Sequence, residues 1–213
     1  MIKSKILFPI TIGFILISNI YGQSGKIKYD LFSSVTKKAV EKSEIFPRRH
    51  IVAEETYKNG NLVRTDTLIW EAVSTEKYRI IRTEKIGDNL TKLEEITIDG
   101  NVYKRENDSK WKKEEWYFKH GFTRQTTEIL GCTEYSVKET TFDNRKAQIF
   151  EQFSIGIDGA ALTYEQEDFW ISGNGSLLKQ ENTYGLLNPR NVLWHKTLIY
   201  EYDANIKIEA PTK

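Results

Sequence analysis

The residues of this 213-residue chain that could do chemistry are three histidines, one cysteine and a few paired carboxylates. His50, His120 and His195 stand far apart, and none belongs to an H-x-x-H or H-E-x-x-H pair, the spacing that turns two imidazoles toward one metal. No metal centre is expected. The G-x-S-x-G elbow of a serine nucleophile is absent, and Cys132 sits in LGCTEYS, with no basic neighbour to lower its thiol pKa. It reads as a small buried hydrophobe. Glu114-Glu115, Glu165 with Glu167-Asp168, and Glu201 with Asp203 have the pairing that a general acid and base need. Each pair falls at a strand edge or a helix start, where alternation predicts a solvated face. Gly173-Asn174-Gly175 has no lysine after it and reads as a hairpin turn rather than a phosphate cradle. The chain is therefore read as a non-enzyme without a cofactor.

Once those groups are set aside, the aromatics remain: five Trp, ten Phe and eleven Tyr. Such side chains bury large areas and favour strands, so any one of them is first a core residue. As a group, on a curved sheet with too few helices to cover it, they could also line a hydrophobic ligand site.

The elements that must position them are mostly strands. Asp30–Lys42 places Leu31, Phe32, Val35, Ala39 and Val40 at helical spacing, with Asp30 as a candidate cap, and Pro47 ends that stretch. From His50 onward, short β-branched and aromatic runs alternate with turn signals. His50–Tyr57, Leu62–Ala72, Lys77–Ile86, Leu90–Ile98 and Asn101–Arg105 are separated by Asn59-Gly60, Gly87-Asp88-Asn89 and Asp99-Gly100 among other turns. This order predicts an antiparallel meander, with Val102 and Tyr103 on opposite faces. Trp116, Tyr117 and Phe122, set among charges in Glu114–Gly131, predict one or two short helices closing at Gly131. Strands then resume at Tyr135–Phe142, Lys146–Ile155, Ala161–Gln166, Asp168–Ser172, Ser176–Thr183 and Lys196–Tyr202.

At the N-terminus, Lys3 and Lys5 precede the apolar run Ile6–Ile20, and Gly22 supplies a small residue before Gln23. This order predicts a cleaved secretory signal over residues 1–22, followed by a single domain over 23–213. The run is short for a membrane span and is interrupted by Pro9, Thr11 and Gly13, so the mature chain is not expected to be transmembrane. The cleavage region has no cysteine to carry a lipid. Removal of the two lysines takes the formal charge from +1 to −1, which gives no electrostatic case for nucleic acid or for an anionic membrane surface. With one cysteine, an exported chain has no internal disulfide and must hold by packing alone.

Taken in order, the helix at Asp30–Lys42, ITIDGNVYKRENDSKW, TEYSVKETTFDNRKAQIFEQF, DFWISGNGSLLKQENT and the closing TLIYEYDANIKIEAP resemble the LolA-like superfamily over about Asp30–Pro211. That superfamily spans periplasmic lipoprotein carriers, LppX/LprG-type lipid-binding lipoproteins and the sensor domain of RseB-type regulators. The resemblance implies a mainly β fold with a few helices (α+β): a strongly curved antiparallel sheet forming an incomplete barrel with a helical lid. It also implies an exported protein, periplasmic or fully secreted, that holds a lipid or acyl chain between sheet and helices. Trp70, Tyr103, Trp116, Phe118, Phe153, Trp170 and Tyr200 are the residues expected to line or close that cavity. Two other readings stay open: a sensory module with a periplasmic protein partner, and a glycan-binding or structural surface protein with a filled core.

Overall fold

Alternating apolar and polar residues with turn signals every ten or so positions can satisfy their backbone groups only by pairing with neighbouring strands, and this chain does so along most of its length. The computed structural model describes residues 24–114, 128–187, 190–202 and 205–211. One helix, α1 (Tyr29–Ser43), follows the short strand β1 (Gly25–Lys26). The first run of strands is β2 (Arg48–Lys58), β3 (Asn61–Ser74), β4 (Lys77–Ile86), β5 (Asn89–Ile98), β6 (Asn101–Glu106) and β7 (Lys112–Glu114). The second is β8 (Glu128–Phe142), β9 (Arg145–Asp158), β10 (Ala161–Ser172), β11 (Leu177–Leu187) and β12 (Arg190–Glu201).

All twelve strands form one antiparallel sheet in the order β1-β8-β9-β10-β11-β12-β2-β3-β4-β5-β6-β7. Two meanders are thus joined at a single seam, where β12 pairs with β2 in the register Tyr200 opposite His50 and Leu198 opposite Val52. The sheet does not close into a barrel. β7 and β8 follow each other among the elements yet lie toward opposite ends of the sheet, and β1 covers the free side of β8. Two-residue turns make the reversals possible. Asn59 and Gly60 (φ 55° and 77°) and Asp99 and Gly100 (φ 51° and 74°) adopt the left-handed conformations that favour Asn, Asp and Gly.

Paired residues in an antiparallel ladder share a face, so the register gives rows of side chains that run across the sheet. One row reads Val137, Phe150, Phe169, Gln180, Leu198, Val52, Leu68, Arg82, Leu93, on nine successive strands from β8 to β5. The helix α1 lies on the first part of this face, against β8, β10 and β11. There Phe32 and Ala39 join Val137, Phe150, Phe169, Ile171, Leu177 and Tyr200 in the buried core. The Phe32 ring meets Phe169 edge-on at 5.8 Å and Tyr135 at 4.9 Å. Every residue of α1 that is buried, namely Phe32, Thr36, Ala39 and Ser43, falls on a stripe of i, i+4, i+7, i+11 spacing.

Several sequence expectations change here. The helix begins at Tyr29, so Asp30 lies in its first turn rather than at its cap; Lys28 holds the cap position without a side-chain bond. Val40, expected on the apolar stripe, is 38% exposed. The run Glu128–Gly131 opens strand β8 instead of closing a helix, and the ladder to β9 is irregular between Ile129 and Cys132. A glycine there suits a bulge as well as a helix stop, which is why composition misread it. The rest of the expected Glu114–Gly131 helical region, from 115 to 127, lies outside the described residues. Ala161–Gln166 and Asp168–Ser172 are one strand, because Glu167 pairs with Gln152 on one side and Asn182 on the other. Among the described residues α1 is the one helix, where a few were expected. Ile96, Thr97 and Val102 are all buried, so at the end of β5 both faces of the sheet are covered.

Candidate ligand-binding trough

The face that carries α1 continues past the seam onto β2–β7, and no helix described here packs there. On that half the sheet curls around an open trough of about 1160 Å3. Its floor is apolar. Val52 from β2, Leu68 and Trp70 from β3, Ile80 from β4 and Leu93 from β5 all face it, at the two-residue spacing that puts alternate side chains on one side.

Charged residues border the floor. Toward the β2–β3 turn, Glu54, Asp66 and Lys196 form the next row, with Arg82 and Arg64 reaching across it. Arg82 Nε donates to both Asp66 oxygens at 3.0 Å, and Arg64 pairs with Glu84 at 2.6 Å. Toward the β7 edge, Lys104 bridges Glu95 at 3.5 Å and Glu114 at 3.1 Å. A molecule lying in the trough would meet hydrocarbon at its centre and fixed ion pairs at its borders.

At the seam, between the helix-covered core and the trough, stands His50. Its ring is edge-on to Tyr200 at 4.6 Å and to Trp70 at 5.3 Å, and its Nε2 is buried without a hydrogen-bond partner. Burial pushes its pKa down from 6.5 to about 4, and the neighbouring Arg48 cation adds to the effect. His50 is therefore neutral at ordinary pH. Arg48, itself buried, places its guanidinium 4.4 Å from the centre of the Trp70 ring and 4.5 Å from that of Phe46. Trp70 is thus held from two sides, and its indole forms a fixed part of the floor.

The structure places the residues expected to form the cavity in three groups. Trp70 lines the trough, and Tyr200 stands beside it on the same face, in the core under α1, with its hydroxyl 3.4 Å from Gln180 Oε1. Tyr103, Phe153 and Trp170 project from the other face. Tyr103 is opposite Ile96 in the outer row that includes Arg79; Phe153 stacks on Tyr164 at 6.0 Å; Trp170 carries the Lys179 ammonium 4.6 Å above its ring. Trp116 and Phe118 lie outside the described residues. Sequence reading passed over Val52, Leu68, Ile80 and Leu93, because aliphatic residues at alternate strand positions look alike whether a helix covers them or not.

The groups weighed for chemistry are engaged elsewhere or held apart. Thr183 and Thr197 hydroxyls sit 2.9 and 3.2 Å from the two ring nitrogens of His195. Glu167 and Asp168 leave opposite faces of β10, and Glu167 accepts from Asn182 at 3.1 Å. Asp168 shares the outer face with Glu151 and Glu181 on the flanking strands; burial first, and those two carboxylates next, push its pKa up to about 6. Glu201 is tied to Arg49 at 2.9 Å. His120, Glu115 and Asp203 lie outside the described residues. Among the described residues, no cluster of three His, Cys, Asp or Glu side chains could hold a metal.

No family model matches the chain, and no curated protein matches it. Among solved structures it is similar to LprF from Mycobacterium bovis, with a TM-score of 0.48 at 6% identity over 89% of this chain and 100% of that one. It is also similar to a domain from Vibrio parahaemolyticus whose name refers to outer membrane lipoprotein sorting, with a TM-score of 0.28 at 11% identity over 82% of this chain and 93% of that one. With TM-scores under 0.5, neither likeness carries any part of the functional reading, which rests on the trough.

Proposed function

We propose that the chain is an exported, non-enzymatic binding protein that holds a hydrophobic molecule, a lipid or acyl chain, in the trough on β2–β6. The observation that carries the reading is the half-covered face: one row of side chains runs from under α1 into an open apolar floor of about 1160 Å3. That volume is above the roughly 300–1000 Å3 of ordinary small-molecule pockets and suits an elongated apolar body. Affinity would come from burial at about 25 cal/mol per Å2, so a dozen methylenes shielded from water supply on the order of 10 kcal/mol before the cost of association. The ion pairs at the borders, already satisfied within the chain, would keep polar ends of the cargo at the edge of the floor. Trp70 and Tyr200 belong to this site in the proposal, Trp70 as floor and Tyr200 as the wall shared with the helix. Among the described residues, no helix is long and apolar enough to cross a membrane.

Native mass spectrometry of the mature protein purified without detergent tests the reading, with solvent extraction of whatever is bound. A lipid of defined mass, released on denaturation, is the expected result. Trp70→Ala and Leu68→Asp should lower its occupancy roughly tenfold or more while the far-ultraviolet circular dichroism stays that of the parent. An unliganded mass that persists after incubation with total lipid extract would sink the proposal.

A further inference from the structure

His50 marks the end of the trough nearest α1, and its ring carries a hydrogen-bonding atom that the fold leaves unused. Across the sheet it stands between Tyr200 on β12 and Trp70 on β3; along β2 it stands between Arg48 and Val52, where the apolar floor begins. The residue is 8% exposed, and Nε2 is buried without a partner. The imidazole also donates to the carbonyl of Ser43, the last residue of α1, where a helix leaves carbonyls without partners of its own. Since Nε2 has no partner, that donor is Nδ1–H, and the neutral ring keeps a lone pair on Nε2. An acceptor held out of water with nothing to accept from costs stability, and a donor brought to it recovers that cost.

The charge around the floor does not favour an ionised cargo. Among the described residues, six acidic and six basic side chains line the trough. Arg82 is bound to Asp66, Arg64 to Glu84, Arg105 to Glu94, and Lys104 to Glu95 and Glu114. Glu54 and Lys196 face each other across the seam, and Glu106 and Lys112, exposed at the β6–β7 border, are again one of each sign. The Arg48 cation beside His50 is 4% exposed, lies over the Phe46 and Trp70 rings and is paired with Glu44. A carboxylate at this end would give up its water to face the Nε2 lone pair with its own. A hydroxyl has no charge to desolvate and has a proton to give. Nε2 is covered in the free protein, but a histidine ring turns readily about its Cβ–Cγ bond, and a small turn brings the nitrogen to a group lying on the floor.

We propose that His50 selects the polar end of the cargo: an uncharged hydroxyl, borne by a long apolar chain on the floor, donates to Nε2 at the Trp70–Tyr200 end of the trough. This rests on the carrier reading and adds the class of lipid it takes, an alcohol rather than a fatty acid anion. The test is isothermal titration of the delipidated mature protein at pH 8 with dodecan-1-ol, methyl dodecanoate and dodecanoate. The ester matches the alcohol in chain and in neutrality but has no proton to donate. The alcohol should bind roughly tenfold more tightly than either of the others. His50→Phe, which keeps an aromatic ring between Trp70 and Tyr200, should bring the alcohol down to the affinity of the ester. His50→Gln, whose side-chain carbonyl accepts, should restore part of the preference, with circular dichroism showing that both variants are folded. Equal binding of alcohol and ester by the parent overturns the proposal, as does a preference that His50→Phe leaves intact, because the hydroxyl is then met elsewhere. Tightest binding of dodecanoate overturns it too, while leaving the carrier reading standing. Failure of all three chains to bind ends both.

Discussion

His50 and Asp168 should tune the stability of this fold in opposite directions over the same pH range, so that each masks the other. For His50 the folded pKa is depressed from 6.5 to about 4. As pH falls below 6.5 the unfolded chain takes the proton first, and stability is lost down to about pH 4. For Asp168 the folded pKa is raised from 3.8 to about 6. As pH rises above 3.8 the unfolded chain releases the proton first, so stability is lost up to about pH 6 and regained on acidification. Between pH 7 and 4.5, linkage gives a loss of roughly 2 kcal/mol for His50 and a gain of similar size for Asp168, so the two largely cancel. The two residues lie on opposite faces and neither figures among the causes of the other's shift, so their contributions should add. Urea denaturation followed by circular dichroism at pH 7 and pH 4.5 would separate them. Relative to the parent, His50→Phe should gain about 2 kcal/mol on going to pH 4.5, and Asp168→Asn should lose about as much. Other carboxylates titrate alike in all three proteins and drop out of the differences. If both variants track the parent at the two pH values, then burial does not set the protonation of these groups and the reasoning fails.

Three further outcomes follow from the packing. Gly185→Ala should destabilise the fold by about 2–4 kcal/mol in the same denaturation assay, because an added Cβ would meet the Asn191 carbonyl oxygen at 2.2 Å and Tyr164 Cε1 at 2.9 Å. Glu71, 5% exposed, joins Arg49 and Arg79 across three strands of the outer face, so Glu71→Gln should cost roughly 2–3 kcal/mol at low salt; a change within half a kcal/mol would show the two arginines to be indifferent to it. Phe32→Ala should cost about 3–4 kcal/mol and lower the cooperativity of unfolding, since that ring joins α1 to Phe169 and Tyr135; an unchanged midpoint would mean that the helix is not part of the core.

Much of the architecture was legible because β-strands write local rules into sequence. Asn59-Gly60 and Asp99-Gly100 marked hairpins because few other residues tolerate positive φ, and alternation of two then fixed which side chains share a face. Phe32, Val35 and Ala39 marked the helix in the same local way. Where local cues have two meanings, reading failed: Gly131 fits a helix stop and a bulge, and Glu167 is a charged residue that a central strand can still carry.

The site was less legible. Strand alternation says that Trp70 and Tyr103 each have a face, but it cannot say whether the two faces are the same one, since that depends on the ladder linking β3 through β5 to β6. Nor does a single strand show whether a helix lies over it. Sequence alone determined most of the strands and their turns and the apolar stripe of α1, because each depends on residues within a few positions of one another. Only the tertiary structure decided that β12 pairs with β2, that α1 packs against β8, β10 and β11 rather than over the trough floor on β3–β5, and that His50 sits at the border between them. Those facts depend on contacts between residues more than a hundred positions apart, whose free energy comes from burial, which has no period and no spacing to read.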